Sequence, residues 1–187
     1  MLNLLNYSDF VNELNNMPSN KWVDWDLSKL DQETLDIIWN MYTESYAKEG
    51  LDFSAGDAAE LRTKYKATKL IDVDNDRIPD AFIIYRTYPK YGNKGTLMGT
   101  NGKKDAKRAV VKKLINLVNT KGWFIEASKK MEELMLSVKA PVIDNDQFIM
   151  DVVGDKKKPI IGENGYFTRE LSKNSKRIKK RFYGKIK

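Results

Sequence analysis

The 187-residue chain contains no cysteine and no histidine. Without cysteine there is no disulfide, no thiolate nucleophile and no thiolate metal ligand; without histidine the usual general base and the commonest metal ligand are gone. Proton transfer, if there is any, falls to carboxylates, tyrosine, serine, lysine or backbone groups. Long apolar runs are missing too. Nothing approaches the ~20 residues that span a bilayer, and the opening "MLNLLNYSDF" lacks the basic and apolar regions of a signal peptide. The expectation is a cytoplasmic protein with no membrane contact. A chain of this length suits one domain able to bury a proper core.

Charge is plentiful and uneven. The net +7 is made of −9 over residues 1–60, +11 over 61–130, −3 over 131–171 and +8 over 172–187. The positive excess is concentrated in a middle segment and at the C-terminal end, which points to a localised anionic partner.

Apolar spacing predicts a helix over "YSDFVNELNNM", a second over "LDQETLDIIWNMYTESYAKEG" and a third over "SAGDAAELRTKYKA" capped by Ser54. Strands follow near 68–74, 80–88 and 95–100. Asp72, Asp74, Asp76 and Asp80 between the first two have the spacing of a calcium loop. Arg77 stands where such a loop needs glycine, however, and Ile83 where it needs glutamate, so the stretch reads as a β-hairpin turn and no metal is expected. Further on, "KKDAKRAVVKKLINLVN" is helical, "WFIEAS" a strand, "KKMEELMLSV" a helix, and "QFIMDVV" and "YFTREL" strands. Residues 1–30 read as an N-terminal helical segment with loop around Trp22 and Trp25, residues 31–171 as an α/β domain, and residues 172–187 as a basic tail. The fold class expected is α/β, with a mixed, mostly antiparallel central sheet and helices on both faces.

Two places suggest chemistry. In "GTLMGTNGKKDAKR", a strand with Gly95 and Gly99 leads through Thr100, Asn101 and Gly102 into a helix whose start carries Lys103, Lys104, Lys107 and Arg108. Helix N-termini bind phosphate readily and flanking cations help, although a solvated basic helix face has the same composition. The pattern is not a P-loop, since Leu97 and Lys104 occupy positions that need glycine and a hydroxyl residue. The tail "KNSKRIKKRFYGKIK" interleaves Lys176, Arg177, Lys179, Lys180 and Arg181 with Phe182 and Tyr183. That mixture suits phosphate contacts with base stacking, and a frayed, solvated terminus is its other reading.

The element order, with the glycine-containing loop entering a basic helix after a three-strand meander, resembles the GNAT N-acetyltransferase superfamily over about residues 30–171. "GWFIEASKKMEELM" and "GYFTREL" are similar to phage-encoded members. The resemblance implies an acetyl-CoA or other acyl-CoA cofactor. Pantetheine would pair with the fourth strand, and pyrophosphate would sit in a loop of pattern Q/R-x-x-G-x-G/A. Met98, Gly99, Thr100, Asn101, Gly102, Lys103, Lys104, Ala106, Lys107 and Arg108 are the implied cofactor-binding residues. Asn101 falls at the Q/R position, Lys104 at the first glycine and Ala106 at the final small position, where alone the pattern is met. Members commonly carry a tyrosine in the helix after the fifth strand, and "KKMEELMLSV" has none. Candidates for the acid–base role are therefore Glu126, Ser128 and Tyr166. Glu126, on a mainly apolar strand, has a raised pKa if it acts as a base; its other reading is as partner to a nearby Lys or Arg. The resemblance implies acetyl transfer to an amine, with nucleic acid or another polyanion as a partner of the tail. The alternative is a non-catalytic, virion-associated or nucleic-acid-binding protein on the same scaffold.

Overall fold

A computed structural model describes residues 22–49, 56–65, 67–71, 78–154, 159–171 and 176–187. The helix expected near residues 7–17, the cap at Ser54 and the turn residues Asp72, Asp74 and Asp76 lie outside these. The chain forms two compact units: one takes the residues up to Arg86 with Thr96–Leu114, the other Thr87–Gly95 with Ile115–Lys187.

The first unit contains β1 (Val23–Asp26), α1 (Gln32–Glu49), α2 (Ala58–Lys64) and β2 (Ala67–Ile71). It also takes most of β3 (Ala81–Tyr88), the end of β4 (Gly92–Thr100) and the start of α3 (Lys104–Asn119). Asp31 accepts a hydrogen bond from the Thr34 N–H at 2.7 Å, satisfying one of the unpaired donors at the start of α1. Asp57 does the same for α2 through the Glu60 N–H, so α2 begins later than the spacing suggested. β2 and β3 pair antiparallel from Ile71 opposite Ala81 to Ala67 opposite Tyr85, which is the expected hairpin. β1 corrects the helix-and-loop expectation for its segment. It pairs with β2 while all four of its residues stay exposed, so its sequence carries no burial pattern to read. Leu27, Leu35, Ile38, Tyr42, Leu61 and Phe82 are fully buried in this unit's core. Each such side chain contributes roughly 1.5–3 kcal/mol of burial energy.

The second unit holds the remainder of β3, β4 and α3, with β5 (Trp123–Glu126), α4 (Lys129–Ser137), α5 (Asp146–Val153), β6 (Ile160–Ile161), β7 (Tyr166–Leu171) and β8 (Lys176–Lys185). Its strand order is β4-β5-β8-β7-β6. The β4–β5 pair is parallel, as a strand–helix–strand crossover through α3 requires, and β5–β8, β8–β7 and β7–β6 are antiparallel. Phe124, Phe148, Phe167 and Phe182 form the aromatic centre of the core, with Phe124–Phe148 and Phe148–Phe182 edge-on at 4.9 and 5.1 Å and Phe167 stacked on Phe182 at 5.0 Å.

Two expectations are overturned here. "QFIMDVV" belongs to helix α5, not a strand. Asn145 accepts from the Phe148 N–H at 2.8 Å to start it, Gly154 at φ 85° follows its end, and Phe148, Ile149 and Val152 form its buried face. The basic segment is not a tail either. Residues 176–185 form β8, inserted between β5 and β7, with Arg181, Phe182, Tyr183 and Gly184 buried in succession. The result is a mixed α/β fold whose strand pairing is mostly antiparallel. Among the described residues, no helix is long and apolar enough to cross a membrane.

Candidate functional site

In the first unit, β4 passes into α3 through Asn101, Gly102 and Lys103. The Thr100 hydroxyl accepts from the Gly102 N–H at 3.2 Å, and the Asn101 carbonyl oxygen accepts from the Lys103 N–H at 3.0 Å, so side chains close the turn. Gly102 sits at φ +90°, a conformation that favours glycine. Asp80, 1% exposed, anchors the turn by accepting from the Asn101 amide and pairing with Lys103 at 3.0 Å. Arg108 is half-buried and lies 3.6 Å from Asp105. Lys104 and Lys107 are exposed at the start of α3, next to the first N–H groups of the helix, which lack intrahelical partners. Ala106 is fully buried. Gly99 has a packing role: a Cβ there would meet Phe82 Cε1 at 2.7 Å and the Met41 carbonyl at 3.0 Å. Met98 and Thr100, on either side of it, are half-buried.

In the second unit, Glu126 ends β5 with its side chain 10% exposed. It pairs with Lys94 at 2.8 Å and with Arg169. Burial on its own would raise the carboxyl, but the charges of Lys94 and Arg169 outweigh it and hold Glu126 at about 2. This corrects the raised pKa expected of a base: Glu126 is a paired anion. The register explains the grouping. Cross-strand partners and alternate residues share a sheet face. Lys94 lies opposite Phe124, Glu126 opposite Phe182 and Lys180 opposite Phe167, with Arg169 two residues beyond, so all four charged groups stand on one face. Lys180 is pushed down by burial and by the neighbouring cations Arg169 and Lys94, against the pull of Glu126.

The opposite face carries a second polar group. Arg181, 8% exposed, places its guanidinium 3.4 Å from the centre of the Tyr166 ring, and Lys179 sits 4.0 Å from that ring centre. Glu132 on α4 accepts from the Tyr183 hydroxyl at 3.2 Å. Burial raises the Tyr166 hydroxyl, and its hydrogen bond to Glu132 adds to the rise. Ser128 caps α4, its hydroxyl accepting from the Met131 N–H at 3.4 Å.

The three proposed acid–base residues are thus not brought together as a catalytic set. Glu126 is in ion pairs, Ser128 caps a helix, and Tyr166 is clamped under cations. Of the basic segment, Lys176 lies in β8, and Arg177 and Lys179 are exposed along it. Phe182 and Tyr183 are fully buried, which corrects the base-stacking expectation: no face of either ring is left for a base in this fold. Sequence reading missed Lys94, Arg169 and Glu132. The first two join Glu126 only through strand register, and the one local hint was that Phe167 and Arg169 alternate within "YFTREL". Comparison of the chain with protein-family models, curated proteins and solved structures finds no match.

Proposed function

We propose that this chain binds an acyl-CoA through its phosphates at the β4–α3 junction and passes the acyl group to an amine. One observation carries the reading: a side-chain-closed turn delivers β4 to the N-terminus of the 16-residue helix α3, where Lys104 and Lys107 are exposed beside unpaired N–H groups. The crossover through α3 to the parallel β5 supports it, being the connection that the GNAT resemblance implies for the strand and helix holding the cofactor. In the transfer, the amine nitrogen attacks the thioester carbonyl, the C–N bond forms, the C–S bond breaks, the amine gives up a proton and the departing thiolate takes one.

Acetyl-CoA at ~100 times its dissociation constant adds ~2.7 kcal/mol to the folded state, read as a rise in melting temperature. Lys104→Glu should weaken binding about tenfold by placing a negative charge beside the phosphates. No shift at millimolar acetyl-CoA removes the reading. A second reading, a non-catalytic binding protein on the same scaffold, is favoured by Glu126, the carboxylate expected to act as a base, being held ionised in ion pairs. Thiol release from acetyl-CoA in the presence of mixed amines separates the two: binding without release supports the second.

A further inference from the structure

We propose that Lys94, Arg169 and Lys180, gathered on one face of β4, β7 and β8 around the carboxylate of Glu126, form a site for a phosphate group. This site lies wholly within the second unit and is independent of the α3 junction.

The argument is one of charge and of unused donors. Among the described residues, three cations act on one carboxylate, and the side chains of Lys94, Glu126 and Arg169 are only 14, 10 and 16% exposed. Glu126 is already committed to Lys94 and Arg169. Lys180, half-buried, has no ion pair of its own among the described residues, and Arg169 keeps a buried Nε without a hydrogen-bond partner. Burying like charges together is unfavourable unless something opposes them. Lys180 is a cation beyond the two that Glu126 already pairs with, and a phosphate monoester, which carries about −1.5 to −2 at neutral pH, supplies the negative charge that opposes it. Guanidinium geometry favours the same ligand, because a planar fork with a spare N–H suits a tetrahedral oxyanion. Lys94 lies 5.2 Å from the Phe182 ring centre, and Phe124, Phe167 and Phe182 on the same face are buried, which limits competition from water.

The test is calorimetric titration of the full chain with inorganic phosphate and with pyrophosphate, each at the ionic strength of a chloride control, on wild type, Lys180→Gln, Lys104→Glu and Lys129→Gln. Lys180→Gln removes a cation that holds no ion pair among the described residues, so the fold survives it; its melting temperature without phosphate should rise as the like charges separate. Its phosphate affinity should fall at least tenfold, while the exposed control Lys129→Gln stays close to wild type. A single-stranded oligonucleotide that competes with phosphate in a Lys180-dependent way assigns the phosphate to a nucleic-acid backbone, and failure to compete assigns it to a small phosphorylated molecule. Equal affinity of wild type and Lys180→Gln, loss of binding only in Lys104→Glu, or no phosphate effect beyond that of chloride overturns the proposal.

Discussion

Replacing Glu126 with glutamine keeps its shape and removes its charge, leaving Lys94, Arg169 and Lys180 facing one another. The carboxyl is held at about 2 against an ordinary 4.5, and each unit of difference is worth about 1.36 kcal/mol, so the folded state gains on the order of 3 kcal/mol from the ionised form. That agrees with the ~3–5 kcal/mol lost when one partner of a buried ion pair is removed. The sign fixes the pH window. A carboxylate with a lowered folded pKa stabilises fully above its unfolded value, and the contribution disappears as pH falls through the folded value. In urea unfolding, Glu126→Gln should therefore trail wild type by about 3 kcal/mol at pH 7. The gap should narrow below pH 4.5 and close near pH 2. A gap under about 1 kcal/mol at pH 7, or one of equal size at pH 7 and pH 2.5, would refute the assignment of Glu126 as the anion that holds these cations.

Other expectations can be checked by the same unfolding measurements. Gly99→Ala forces a Cβ to 2.7 Å from Phe82 and should cost about 1–3 kcal/mol, with no loss if β4 can shift away from α1. Phe182→Ala empties a fully buried ring position and should cost about 3–5 kcal/mol; a change under 1 kcal/mol would place that ring outside the core. Asp57→Ala removes the cap of α2 and should cost about 0.5–2 kcal/mol. Lys180 is lowered in the folded state, so folded protein sheds that proton first. Its contribution to stability should rise with pH through the lowered value towards the ordinary 10.5, and Lys180→Gln should lack the rise.

Local pattern made α1, α3 and the β2–β3 hairpin legible, because each carries its own period and its own stop signal. Where the apolar run was short, the period could not choose. "QFIMDVV" reads equally well as strand or helix, and the deciding signals were its flanks, Asn145 before and Gly154 after. β8 was hidden by its charge. Counting eight cations over residues 172–187 obscures the alternation of Ile178, Lys180, Phe182 and Gly184 on one face, and only the partners β5 and β7, distant in sequence, show that the strand is buried between them. The charged cluster was illegible for the same reason. Lys94, Glu126, Arg169 and Lys180 come from four strands, and no spacing along the chain encodes their meeting. The turn before α3, by contrast, is local, and its residues lie where the sequence placed them.

The insertion of β8 between β5 and β7 also orders events during synthesis. Both neighbours leave the ribosome before the strand that joins them, so for that interval each offers an unpaired edge, and the Phe124 and Phe167 side chains lack the ring between them. Open edges and exposed aromatic surface are what make incomplete chains associate with one another. The second unit consequently gains its main protection against aggregation at a single late step, the arrival of one strand. A chain truncated after Leu171 should therefore aggregate more readily than one that carries β8.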